Sequence, residues 1–242
     1  MFPIRDHNPS KRTPYVTWTL IGINILVFAS YYHLFSNDRA IGQFFFDWGL
    51  VPAQARPETY ITSMFLHGGL MHLGGNMLFL WVFGDNVEDQ MGHVGFLGFY
   101  LLGGIAAAAA QNVSDPTSIV PMVGASGAVA GVMGGYLLMF PKARVDVLLF
   151  LFVFVRIFPI PAWIVLGFWF AIQLVQGWLT PADQVGVAYW AHAGGFLAGV
   201  LMIAPLWLRR GGPVFWQRTE GHPPHPDTEY KYVRTNVPQI RR

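Results

Sequence analysis

Residues 188–208 read AYWAHAGGFLAGVLMIAPLWL, a run with no charged side chain, a single histidine (His192), and Arg209-Arg210 closing it. About 20 apolar residues cross a bilayer as a helix, so the run reads as a membrane span. It also puts an ionisable ring where the lipid penalises one. Five more segments, about 16–35, 65–84, 94–110, 122–140 and 161–179, have the same apolar character. Charge gathers in the breaks between them, at Asp85, Glu88 and Asp89, at Asp115, at Lys142 and Arg144, and at Asp183. The composition agrees: 53% of the 242 residues are hydrophobic and 12% charged, where soluble domains carry about a quarter charged. The expected fold class is an all-α membrane protein, a bundle of six transmembrane helices. The chain has no cysteine, which excludes disulfides, thiolate nucleophiles and Cys-based zinc sites.

Orientation follows from the distribution of Lys and Arg across the breaks. With the N-terminus inside, only Arg39 and Arg56 of the fifteen basic residues fall outside. Both termini are therefore expected in the cytoplasm. The first run ends at Tyr31-Tyr32-His33 rather than at small residues, so it is expected to be a retained helix and not a cleaved signal. Residues 36–64, with Phe44-Phe45-Phe46 and Trp48, are too apolar for a wet loop and are expected in the outer interface. Val145 through Phe158 is too short to span and is expected to form an interfacial hairpin. The organisation is then a cytoplasmic segment 1–15, a membrane domain 16–210, and a flexible cytoplasmic tail 211–242. A net charge of +2 gives no nucleic-acid signal.

Polar side chains deep in spans point to chemistry. The second span holds His67, His72 and Asn76, the fourth holds Ser126, and the sixth holds His192. Counted from the inner ends at a helical rise of 1.5 Å per residue, Ser126 lies roughly 21 Å up, His192 roughly 24 Å and His72 roughly 18 Å. Three polar groups at one depth on three helices can converge. Glycines at four-residue spacing after Ser126, and Gly195 and Gly199 after His192, let the helix backbones approach. A serine beside a neutral imidazole is an activated nucleophile. His72 and Asn76, one turn apart, can donate to an oxyanion, as can the Ser126 backbone amide. No carboxylate lies at this depth, which favours a Ser-His dyad over a triad. His-Glu-x2-His is absent, since Gly68 follows His67, which disfavours a metalloprotease; no metal site is expected. Membrane carboxylates, which a transporter would use, are also lacking.

Taken together, these motifs resemble the rhomboid family of intramembrane proteases. Gly-x-Ser-Gly stands at Gly124 to Gly127, His-x4-His-x3-Asn at His67, His72 and Asn76, Ala-His-x2-Gly-x3-Gly at Ala191 to Gly199, and Glu-x3-Gly at Glu88 and Gly92. The resemblance covers about 16–210 and implies a six-helix rhomboid-like bundle with an interfacial outer loop. It implies Ser126 as nucleophile and His192 as general base. His72 and Asn76 would form the oxyanion hole, with Gly124 and Gly127 beside the substrate. His67, Glu88, Gly195 and Gly199 would be structural residues near the site. Implied substrates are transmembrane segments of other membrane proteins, in a bacterial inner membrane, with no cofactor. The alternative is a catalytically inactive rhomboid-like binder of membrane helices. Two departures stand out. An aromatic residue often found four after the serine, stacked on the histidine, is Ala130 here, so the stacking partner of His192 comes from elsewhere or is missing. A Trp-Arg pair of the first outer loop is replaced by Glu58-Thr59.

Overall fold

Each apolar run becomes helical, because a backbone in lipid must satisfy its hydrogen bonds within its own segment. The computed structural model describes residues 2–8, 10–151, 154–180 and 187–224. In chain order the elements are β1 (Phe2–Asp6), α1 (Tyr15–Tyr31), α2 (Asp38–Trp48), α3 (Thr59–Thr62), α4 (Leu70–Met91), α5 (His93–Ser114), α6 (Ser126–Met139), β2 (Arg144–Leu151), β3 (Phe154–Pro161), α7 (Ala162–Leu179), α8 (Tyr189–Arg209) and α9 (Pro213–Thr219). Four helical stretches, at α1 with its following turn, α5, α7 and α8, are long and apolar enough to cross a membrane. Neither α4, which carries His72, Asn76, Asp85, Glu88 and Asp89, nor the 14-residue α6 meets that criterion.

At the centre is α6, buried along most of its length. It packs against α8 and α5 through backbone. A methyl group at Gly199 would collide with the Gly131 carbonyl, and one at Gly195 with the Gly127 carbonyl. Only residues without a Cβ allow α6 and α8 this separation. At 14 residues, α6 spans only about 21 Å, so its N-terminus stops short of one face of a core about 30 Å thick. The chain leading into it is extended and tied down by backbone bonds. Leu50 and Met122 bond reciprocally at 3.0 and 2.8 Å, and the Gly124 N–H donates to the Ser63 carbonyl at 2.9 Å.

The opposite end of the bundle carries the charge. Glu88 at the end of α4 accepts from the Val16 and Thr17 amides at 2.9 and 2.8 Å and from the Thr17 hydroxyl at 2.7 Å. It thereby caps the first turn of α1. Burial would raise this carboxyl, but the donors from Thr17, Val16 and His93 outweigh burial and hold it below its usual range. Glu88 is thus structural, but at the far end of α4 from His72, roughly 24 Å along the axis. The expectation that it lies near the site is corrected.

The hairpin expected over 145–158 is β2 and β3, antiparallel from Arg144↔Pro161 to Leu151↔Phe154. The N-terminal segment adds an unanticipated third strand, with β1 antiparallel to β2. The bundle itself remains helical, and the sheet lies beside its charged end. Asp146 on β2 holds this join, accepting from Arg5 at 2.6 Å and contacting His7 at 2.7 Å. The expected flexible tail needs correction as well. From Gly211 to Pro224 the chain packs back, with Phe215 buried and the Trp216 indole donating to the Leu138 carbonyl at 2.9 Å. Residues 225–242 lie outside the described residues.

Under the sheet, the Asp6 carboxylate accepts from the Tyr136 hydroxyl at 2.9 Å and from the Asn86 amide at 2.9 Å. Burial, with the Asp85 charge beside it, pushes Asp6 up to about 7. Between the ordinary aspartate value of 3.8 and about 7 the folded chain therefore holds a proton that the unfolded chain has released. Stability from this group is full below that window and falls as pH rises through it. The thermal midpoint of the detergent-solubilised protein should drop from pH 5 to pH 8, and Asp6→Asn should flatten the drop. An equal drop in both proteins would count against this account of Asp6.

Candidate active site

Ser126 is the first residue of α6, so its position is set by where that short helix begins. The amides of Ser126, Gly127 and Ala128 precede the first intrahelical bond, which Val129 donates to the Ala125 carbonyl at 3.0 Å. Unpaired amides at a helix start favour negative charge. Across the α6–α8 contact, Nε2 of His192 lies 2.7 Å from Oγ of Ser126. His192 is buried and Ser126 half-buried. Two residues expected at one depth thus meet across the contact between α6 and α8.

The other ring nitrogen of His192, Nδ1, lies 2.7 Å from Oε1 of Gln173 on α7. One turn earlier on the same helix, the Trp169 indole packs against the imidazole, with ring centroids 5.7 Å apart and planes tilted by 34°. The aromatic partner missing at Ala130 is thus supplied by α7, while Ala130 itself is buried in the core. Neither Gln173 nor Trp169 was singled out from sequence. Gln173 is one of two amides, with Gln176, inside a largely apolar run, the kind of signal that singled out Asn76.

His72 stands on the other side of the serine. Its Nδ1 accepts from the Gly68 amide at 3.2 Å, which leaves Nε2 as the protonated, donating nitrogen. That edge of the ring packs against Gly124. A Cβ on Gly124 would stand 2.8 Å from His72 Nε2, and φ there is +134°, a region that L side chains rarely adopt. Gly124 is what lets His72 approach Ser126. Asn76 is buried, and its Nδ2 has no hydrogen-bond partner among the described residues. An unbonded buried amide donor is costly at rest, which suits a group awaiting a charge.

His72, Asn76, Gly124, Ser126, Gly127 and His192 all line one cavity of about 650 Å³, together with Trp169. His67 does not line it. Its backbone N–H donates to the Tyr31 hydroxyl at 2.6 Å, and its ring packs edge-on against His72 at 5.2 Å. His67 therefore supports His72 from behind. Gly195 and Gly199 set the helix spacing described above. No cluster of His, Cys, Asp or Glu able to hold a metal ion occurs among the described residues.

Long apolar helices define an integral, multi-pass membrane protein, and inside the bundle a serine and a histidine are paired. A Rhomboid domain matches residues 54–209. The chain belongs to the rhomboid family. It is 29% identical over 208 residues, 77% of its length, to "Rhomboid protein 1, mitochondrial" of Saccharomyces cerevisiae. It is 33% identical over 160 residues, 66% of its length, to "Rhomboid protease GluP" of Bacillus subtilis, and 38% identical over 79 residues, 33% of its length, to "Putative rhomboid protease YdcA" of the same organism. The chain spans 51% of the yeast protein, 28% of the first Bacillus protein and 39% of the second.

If Asn76 waits for an oxyanion, Asn76→Ala should lower kcat by about 10²-fold, the scale of one oxyanion donor, without lowering thermal stability. An unchanged kcat would remove Asn76 from this role.

Proposed function

We propose that the chain is an intramembrane serine endopeptidase that cleaves transmembrane segments of other membrane proteins. The observation that carries this reading is the 2.7 Å separation of Ser126 Oγ and His192 Nε2 at the base of a cavity. Ser126 Oγ attacks the scissile carbonyl while its proton passes to His192 Nε2. The oxyanion forms beside the Ser126 and Gly127 amides, the His72 Nε2–H and the Asn76 amide. His192 then gives its proton to the leaving amine. Water from the cavity, deprotonated by the same imidazole, attacks the acyl-enzyme and releases Ser126.

The membrane domain in this reading is 16–210, with all six apolar helices crossing. The short α6 is flanked by chain at membrane depth that lines the cavity, the condition under which irregular backbone is tolerated there. Gly124 and Gly127 border the bound peptide. The basic face, with the sheet and α9, lies in the cytoplasm of a bacterium, as the Lys and Arg distribution favours, and the cavity opens on the outer side. Access for a substrate helix lies beside α7, which is exposed over much of its length.

In liposomes with a single-span substrate, Ser126→Ala and His192→Ala should each abolish cleavage, and chelators should leave it intact. A catalytically inactive helix binder would bind the substrate without cutting it in any variant. Cleavage that survives Ser126→Ala would sink the proposal.

A further inference from the structure

We infer that Gln173 is a positioning residue for the base, making the site a hydrogen-bonded Ser126–His192–Gln173 triad with an uncharged third member. The inference rests on the protease reading above. For His192 to accept the Ser126 proton, Nε2 must carry the lone pair, so Nδ1 must carry the hydrogen. That Nδ1–H needs an acceptor, because an unbonded N–H in a buried site is costly. Oε1 of Gln173 is there at 2.7 Å.

The other end of the amide selects this arrangement. Nε2 of Gln173 donates to the Trp169 carbonyl one turn back, at 3.3 Å. A carbonyl can only accept, so it holds the NH2 end of the amide and leaves the C=O end facing His192. Were the amide reversed, its NH2 would donate to Nδ1. The imidazole hydrogen would then sit on Nε2, pointing at Ser126, and His192 could not act as base. The Trp169 indole packs against the imidazole from the same helix, with ring centroids 5.7 Å apart. One helix thus sets the tautomer of the base and supplies its aromatic neighbour.

During acylation the Ser126 O–H bond breaks and the His192 Nε2–H bond forms. No proton passes to Gln173, whose oxygen accepts the same hydrogen bond before and after the transfer. Being neutral, Gln173 brings no uncompensated charge into the span, which a carboxylate would. A purely structural reading makes Gln173 a buried amide that happens to find a partner. That reading predicts lost stability on substitution and no preference for an acceptor.

The test compares acceptor-free and acceptor-retaining variants of the full chain in liposomes. Gln173→Met keeps the bulk and removes the acceptor, and Gln173→Ala is a second acceptor-free variant in case one fails to fold. Gln173→Glu keeps an oxygen toward Nδ1 whether or not it is ionised. The expected result is a fall in kcat of about 10- to 100-fold in the acceptor-free variants, part of what a positioned general base supplies. KM should stay within about twofold, and Gln173→Glu should recover most of kcat. Wild-type kcat in Gln173→Met, or no recovery in Gln173→Glu relative to Gln173→Ala, overturns the role of Gln173. Cleavage surviving Ser126→Ala would instead overturn the protease reading beneath it, so the two failures are told apart.

Discussion

The backbone contact between α6 and α8 is the constraint on which the site depends. In lipid, helices gain nothing by hiding apolar side chains from one another, so association relies on close packing and hydrogen bonds. Here Gly199 lies against the Gly131 carbonyl and Gly195 against the Gly127 carbonyl. Side chains on either helix at these positions would push the two apart. The 2.7 Å contact between Ser126 and His192 lies at the upper end of the same seam, Ser126 directly before Gly127 on α6 and His192 three residues before Gly195 on α8. Each residue of the pair is carried by a rigid helix, and the separation of the helices is the separation of the reacting groups.

Around that seam, three other helices supply what the pair lacks. From α4 come His72, oriented by the Gly68 amide, and Asn76 with an unbonded donor. From α7 come Gln173 and Trp169, which hold the imidazole. α5 backs α6, with Ala107 where any side chain on Gly127 would have to go. The charged end of the bundle takes no part in the chemistry. Its work is to fix the helices: Glu88 joins α4 to α1, Asp146 joins β2 to the N-terminal strand, and Trp216 returns the chain to the end of α6.

Much of this was legible before any coordinates. Apolar length located every long helix, and counting residues from span ends put Ser126, His72 and His192 at one depth. That arithmetic works because a helix in lipid has little freedom other than to rise at 1.5 Å per residue. It could also have placed Glu88 beyond the inner end of the second span at Gly84, away from His72. Motif similarity drew it toward the site instead. The position four residues after the serine, Ala130, offers no aromatic ring for His192, and the sequence does not say what takes its place. The ring came from α7, a helix that shares no motif with α6, because tertiary contact and not sequence spacing decides which rings meet. The pairing of β1 with β2 was invisible for a related reason. A strand of five residues gains its partner some 140 positions away, and nothing local announces it.

The central claim is that His192 activates Ser126. The most direct measurement is covalent labelling of the purified protein by a fluorophosphonate, followed by peptide mapping and by the labelling rate of His192→Ala. The account predicts a single adduct on Ser126 whose rate of formation falls by at least about 10²-fold without His192, the smaller end of what a general base contributes. An adduct elsewhere, or one that forms on Ser126 equally fast in His192→Ala, would contradict it.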